Sequence, residues 1–401
     1  MKNDNPNKKL RIAGDFGLNI IASAVTVIAL QLIVFPYLAK INTAEVYGVL
    51  LTIVGIVNVL IGVFGTSLNN VRLVQERLYQ EKGKTGDFNL LFGVSAAISA
   101  IVMLVMTFWF PELDGSTRLL LIVFVVVGVA REYYSVAYRL TLDFKKNLIS
   151  RVIVSIFYVV GVLVAQYTNL WPLAFISGEA AGYIYVLCTT KLHKEPIKKT
   201  ELFPHTNKKF ITLLGASAIA SSLLYVDRLL IYPMLGADSV STYTIASFFG
   251  KSLGMLMVPI AGVLLSYFAQ KNFKMNRRKF VLTNGLALLG GIAFAVIAYF
   301  ISPWFTGLLY PTLIESAVPY IQIANLAAII GAVAAMAQPA VLQYCNTLWQ
   351  VLIQVIFAAA YIVLGIWFMQ LYGLMGFCVA ALLANIIRLL LFYIIGFVQI
   401  K

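Results

Sequence analysis

Several ionisable side chains stand inside otherwise apolar runs of this chain: Asp15, Arg131, Glu179, Asp227, Arg228, Lys251 and Arg388. At the centre of a membrane helix such a group costs about 2.5–3.5 kcal/mol even on the lenient insertion scale, so each needs a partner or a purpose. Buried cations suit an anionic ligand, and buried carboxylates suit a proton or a small cation. Lys251 lies about 16 Å from the outer end of its apolar run at ~1.5 Å per residue, close to mid-bilayer, where snorkelling is hardest. Ser247, Gly254 and Met255 share its helical face, and Pro259 can loosen the helix beyond it. Glu179 is central in its run within GEAAG, where Gly178 and Gly182 have the small-xxx-small spacing that permits close helix contact. Arg131, with Tyr134 and Tyr138 on its face, and Arg388, one turn from Asn385, are nearer the inner surface, and snorkelling to that interface is their alternative reading.

Polar residues also recur at helical spacing. Asp15, Asn19, Ser23 and Thr26 line one face of the first apolar run, and Ser217, Ser221, Tyr225 and Arg228 line one face of the seventh. Such a stripe must face protein or water, either as interhelical hydrogen bonds or as a cavity wall. In LLYVDRLLIYPML, residues 223–235, adjacent positions point about 100° apart on a helix, so Asp227 and Arg228 cannot simply pair with each other. If Arg228 follows the stripe, Asp227 faces a neighbouring helix.

The elements that carry these residues are membrane helices. Of 401 residues, 61% are hydrophobic and 11% charged, where a soluble chain is nearer half apolar and a quarter charged. Twelve runs approach the ~20 apolar residues a crossing needs: 13–37, 46–68, 89–110, 117–138, 149–167, 171–190, 210–235, 240–269, 280–301, 316–339, 349–370 and 373–396. The first exceeds 20 residues and reads as a span, not a signal-peptide core. Basic residues collect on alternate connections, including Lys8, Lys9 and Arg11, Arg72 and Arg77, Lys145 and Lys146, six lysines between Lys191 and Lys209, and Lys401. The opposite side holds only Lys40 and Arg118, an asymmetry that places both termini in the cytoplasm. The connection at 340–348 carries no basic residue, so parity alone supports that hairpin. The net charge of +14 follows from this topology and not from a nucleic-acid surface, because Lys and Arg are dispersed in short blocks. Cys188, Cys345 and Cys378 form neither a C-x-x-C pair nor an even set.

The lysine-rich, proline-containing stretch 191–209 reads as a cytoplasmic linker between a bundle at 1–190 and a bundle at 210–401. NNVRLVQERLYQEKGK, after the second span, has Val71, Val74 and Leu78 at helical spacing and reads as an amphipathic helix on the inner surface or a solvated loop helix. IVFPYLAKINTAEVYGVLLTI in the first half matches LIYPMLGADSVSTYTIASFF in the second through Pro36 and Pro233 and through Tyr47 and Tyr243. Six spans separate the copies, so the halves are parallel repeats about an axis along the membrane normal, with a site at their interface.

VDRLLIYPMLGADSVSTYTIA, residues 226–246, is similar to a recurring pattern of bacterial polysaccharide-export proteins: an Asp, a short apolar run, a Gly-containing outer turn, then a Tyr and a small residue. YLAKINTAEVYGVL resembles the same family's first outer turn, and YGLMGFCVAALLANIIRLL its last hairpin. The family is the lipid-linked oligosaccharide flippases (O-antigen or capsule repeat-unit) of the multidrug/oligosaccharidyl-lipid/polysaccharide exporter superfamily. Thr242 stands where the family often has Gly, and the loop near Asn346 lacks its usual basic residue.

The resemblance implies twelve helices in two six-helix bundles around a central cavity in a bacterial inner membrane. It implies export of an undecaprenyl-pyrophosphate-linked oligosaccharide by alternating access, coupled to a proton or sodium ion, and a polysaccharide polymerase complex as partner. Lys251, Arg228, Arg131 and Arg388 would meet the diphosphate; Asn19, Ser23, Thr26, Ser217, Ser221 and Tyr225 the sugar; and Asp15, Asp227 and Glu179 the coupling ion, or the buried bases as structural partners. No cofactor or metal is expected. An exporter of small amphipathic molecules on the same scaffold is the rival reading. A membrane enzyme would need a nucleophile, base or metal constellation, and the only histidines, His193 and His205, both fall in the linker.

Overall fold

The structure, a computed structural model, describes residues 17–18, 20–268 and 275–400, apart from the side chains of Leu256, Val258, Pro259, Ser266 and Thr347. Apolar runs of this length become helices because only a helix or a closed barrel satisfies its own backbone groups in hydrocarbon. The described residues are helical, without strands. In chain order the helices are α1 (Ile20–Ile41), α2 (Ala44–Lys82), α3 (Asp87–Thr107), α4 (Gly115–Leu140), α5 (Phe144–Thr168) and α6 (Leu173–Thr189). They continue as α7 (Phe203–Leu224), α8 (Val226–Leu235), α9 (Ala237–Ala246), α10 (Phe248–Phe268), α11 (Arg277–Leu309), α12 (Ile314–Tyr344) and α13 (Thr347–Gln399). Among the described residues nine helices are long and apolar enough to cross a bilayer, and α7 with α8 makes one more as a pair bent by 59°. α13 is two helices joined at Gly373, whose φ of 58° needs glycine. Those arms and the 17-residue α6 complete the expected twelve spans. The hairpin at 340–348 is present but shorter than expected: α12 runs to Tyr344, and Asn346 Oδ1 caps α13 by accepting the Leu348 N–H at 3.0 Å.

The chain packs into two compact units, one holding residues up to Ile41 together with Val49–Leu229, the other Asn42–Gly48 together with Leu230–Lys401. The contact boundary thus falls inside α8, whereas the sequence places it in the 191–209 linker. The cause lies within the first unit, where the linker and α7 are docked. Arg72 on α2 holds Glu195 through two bonds of 2.7 and 2.8 Å, pairs with Glu76 at 2.6 Å, and lies 4.4 Å over the Phe88 ring. Asn89 donates to the carbonyls of Leu192 and Glu195 at 3.1 and 2.8 Å. Asp87 accepts the Thr200 N–H at 2.7 Å and the Tyr79 hydroxyl at 2.6 Å, and Tyr79 also meets Thr206 at the base of α7. Removing Arg72 leaves two carboxylates without their shared cation. Arg72→Ala is therefore expected to speed trypsin cleavage at Lys194, Lys198 and Lys199 several-fold, read by gel; an unchanged cleavage rate would show the linker is held otherwise.

The segment after the second span is neither a separate surface helix nor a loop. It prolongs α2 to Gly83, whose φ of 60° ends the helix. Its inward face is Leu68, Val71, Arg72, Gln75 and Tyr79, while Val74 is 61% exposed, because α7 packs on the polar side of the extension. The two repeat copies have matching local form. Pro36 lies near the end of α1 and Pro233 near the end of α8, and Tyr47 and Tyr243 are buried in the helices that follow. Within the second unit the copies touch: a Cβ on Gly48 would overlap the Ala237 carbonyl oxygen, so only glycine fits there.

Candidate functional site

In the first unit, α4, α5 and α6 converge on a buried polar cluster. Arg131 on α4 is 7% exposed and Glu179 on α6 is 3% exposed. Arg131 reaches Glu179 through Nε to Oε2 and through Nη2 to Oε1 at 3.2 Å, and the Tyr158 hydroxyl on α5 donates to Oε1. The GEAAG glycines make room for specific guests. A Cβ on Gly178 would strike the Tyr158 ring, and one on Gly182 would crowd Val154 and the Arg131 side chain. Both Glu179 oxygens are engaged, and Arg131 and Glu179 form one bidentate pair, the arrangement that the sequence offers as the alternative to separate headgroup and ion roles. Arg151 lies 3.9 Å from Glu132 beside it.

The seventh span is broken where the sequence treats it as one helix. Tyr225 takes φ −121° and ψ 11°, and α7 and α8 diverge there by 59°. Ser217 and Ser221 thus belong to one helix and Arg228 to the next, so the stripe does not run on as a single straight face. At the break Arg228, 8% exposed, donates from Nη1 to the Leu51 carbonyl of α2 at 2.9 Å, and its guanidinium carbon lies 5.6 Å from the Tyr225 ring centroid. Gly55 on α2 leaves room, since a Cβ there would only meet Arg228 and Tyr225 at contact distance. Asp227, in the first turn of α8, is 4% exposed. A carboxylate at a helix N-terminus complements the helix dipole, while the neighbouring cation at that end needs the carbonyl it finds. Ser221 packs at Gly62, and Thr26 lies 3.5 Å from Ser155 of α5. Ser23 is partly buried on α1; Asp15 and Asn19 lie outside the described residues.

In the second unit the cations stand differently. Lys251 on α10 is half-buried, its ammonium 4.5 Å from the centroid of the Tyr243 ring. The Gly250 N–H beside it, one of the first donors of α10 and without an intrahelical partner, is taken by Asn325 Oδ1 of α12 at 2.7 Å. Arg388, on the second arm of α13, is also half-buried. Nη2 donates to Gln338 Oε1 at 3.4 Å, the guanidinium lies 4.8 Å from the Phe357 ring and 5.8 Å from Phe392, and Nε has no hydrogen-bond partner. Among the described residues no carboxylate lies within ion-pair distance of it. Cation–ring contact offsets part of the desolvation of a guanidinium but leaves its hydrogen-bonding edge unmatched.

Sequence reasoning passed over three side chains that shape these clusters, Tyr158, Asn325 and Gln338, and took Tyr243 only as a mark of the repeat. Each is a polar atom in an apolar span, which is itself a signal, since such atoms need partners. The helix break at Tyr225 has no Pro or Gly to announce it.

No family model matches the chain, and no curated protein matches it by sequence. Solved structures do. The lipid II flippase MurJ in an inward closed conformation is similar with a TM-score of 0.63 and 19% identity, over 95% of this chain and 86% of that one. A Vibrio cholerae MATE transporter, VcmN, has a TM-score of 0.63 and 13% identity over 94% of this chain and 93% of its own. An inward-facing multidrug resistance MATE family transporter of the MOP superfamily has a TM-score of 0.64 and 11% identity over 95% and 93%. Across that whole length, the chain shares the all-helical fold of these transporters.

Proposed function

We propose that this protein flips an undecaprenyl-pyrophosphate-linked oligosaccharide repeat unit from the cytoplasmic to the outer leaflet of a bacterial inner membrane, by alternating access, for polysaccharide assembly. The observation that carries the reading is Arg388, a guanidinium held inside a membrane span without a carboxylate. Such a charge is retained against its cost when it meets an anionic ligand. Lys251, on α10 and half-buried against the Tyr243 ring, is a second intramembrane cation of that unit that a diphosphate would meet. The polar residues Thr26, Ser217, Ser221 and Tyr225 would contact sugar hydroxyls. Asp227, buried in the first turn of α8, would be a coupling carboxylate. The basic ends of the helices, with both termini, would face the cytoplasm.

The rival reading, export of small amphipathic molecules, has its own support in the edge-to-face chain Phe357, Tyr361, Phe377 and Tyr243, with centroids 5.6, 5.8 and 5.0 Å apart. The deciding experiment inactivates the protein in a strain that makes a surface polysaccharide and has no second flippase. The undecaprenyl-linked repeat unit is expected to accumulate on the cytoplasmic leaflet. Normal export, combined with raised sensitivity to amphipathic drugs, would establish the rival.

A further inference from the structure

The first unit holds a cavity of about 1160 Å³ at the basic end of its helices. Its volume exceeds the roughly 300–1,000 Å³ of ordinary small-ligand pockets. α4 ends beside it at Leu140 and α6 at Thr189, α5 begins beside it with Phe144, and α2 lines it through Glu76 and Gln80. The helix C-termini turn carbonyls toward this end, and the first turn of α5 adds N–H donors.

The lining hydroxyls add acceptors. Thr141 donates its proton to the Ala137 carbonyl at 2.9 Å, Thr189 to Tyr185 at 2.7 Å and Thr190 to Val186 at 2.8 Å. With the Thr189 proton committed, Tyr138 must donate across the 2.6 Å contact to Thr189. In this arrangement the threonine oxygens are left to accept from a ligand's donors.

The charges divide by position. Glu76 and Glu195 are committed to Arg72. Asp143 accepts the Lys146 N–H at 3.1 Å and pairs with the Lys146 ammonium at 3.1 Å, which together hold its carboxyl below the usual range. Lys145 and Lys191 line the same cavity, are exposed, and have no carboxylate within ion-pair distance among the described residues. Threonine oxygens, the N-terminal turn of α5 and two ammonium groups select a molecule that carries hydroxyl donors and an anionic group together.

We propose that this cavity binds a glycosyl phosphate, the sugar hydroxyls donating to Thr141 and Thr190 and the phosphate meeting Lys145 and Lys191. The lipid-borne form of that ligand rests on the flippase reading, for which the cavity would be an intake site; the glycosyl phosphate chemistry rests on the cavity alone.

The test uses the full-length protein in nanodiscs and titrates three probes calorimetrically: N-acetylglucosamine 1-phosphate, the same sugar on farnesyl diphosphate, and farnesyl diphosphate without sugar. Both sugar probes are expected to bind. Lys145→Ala with Lys191→Ala, and separately Thr141→Val with Thr190→Val, should each weaken them about tenfold, as loss of a charge-assisted or a pair of neutral hydrogen bonds predicts. A tighter fit of the tailed probe identifies a lipid source, and equal affinity identifies a soluble one. Thermal unfolding of each variant checks that the fold is kept. Absence of sugar-probe binding, affinities unmoved by both pairs of substitutions, or equal binding of the sugar-free probe would overturn the proposal. None of these four residues belongs to the Arg388 and Lys251 set, so failure here leaves the transport assay of that set standing, and the reverse.

Discussion

Arg388→Ala is expected to abolish export while the protein still reaches the membrane in normal amount. The two consequences separate because the charge has no carboxylate within ion-pair distance among the described residues: its removal ends a desolvation cost and breaks a 3.4 Å bond to Gln338 and the contacts with the Phe357 and Phe392 rings. Stability should be unchanged or raised. Export, in contrast, loses a charge-assisted contact to the headgroup, worth about 2–5 kcal/mol when the partner anion is left unmatched, or at least ~30-fold in affinity. Arg388→Lys keeps a point charge but loses the planar fork, and should retain an intermediate rate. Lys251→Ala should also lose export, with Lys251→Arg retaining more activity. The measurements are accumulation of the lipid-linked repeat unit and thermal unfolding of each purified variant. Wild-type export by Arg388→Ala would remove it from the site, and a large loss of stability would make it a structural residue.

The spans were legible because a bilayer imposes a length and an apolar composition that single sequences display. The bent pair shows the limit. Nothing in LLYVDRLLIYPML marks Tyr225 as the breaking point, because the break depends on Arg228 reaching a carbonyl on α2, which is far away in the chain. The docked linker is similar: its lysines and prolines read as loose chain, while its hold comes from Arg72, Asp87 and Asn89, more than a hundred residues upstream. The GEAAG glycines were readable as a close contact, but not the Tyr158 ring and Arg131 stem that fill it. Arg388 shows partial legibility, since Phe392 one turn away is visible in the sequence and Phe357 on the other arm of α13 is not. Composition and periodicity report a helix and its faces; they do not report which distant side chain occupies a face.

The second large effect is expected at Glu179. Glu179→Ala leaves the Arg131 guanidinium buried without its counter-ion, which costs about 3–5 kcal/mol, enough to unfold a marginal membrane protein or sharply lower its yield. Arg131→Ala should cost less, because a stranded carboxyl can take up a proton and keep its bond with Tyr158. Replacing both residues, Arg131→Met with Glu179→Leu, removes the desolvation cost along with the attraction and should recover most of the stability lost in Glu179→Ala. Unfolding midpoints of the wild type, Arg131→Met, Glu179→Leu and the double variant in one detergent complete a double-mutant cycle, and strictly additive losses would contradict the pairing. The same double variant decides the pair's role. Export at near wild-type rate would make it a fastener of α4, α5 and α6. A well-folded double variant without export would instead give those two residues a part in transport, since the fold would no longer depend on their charges.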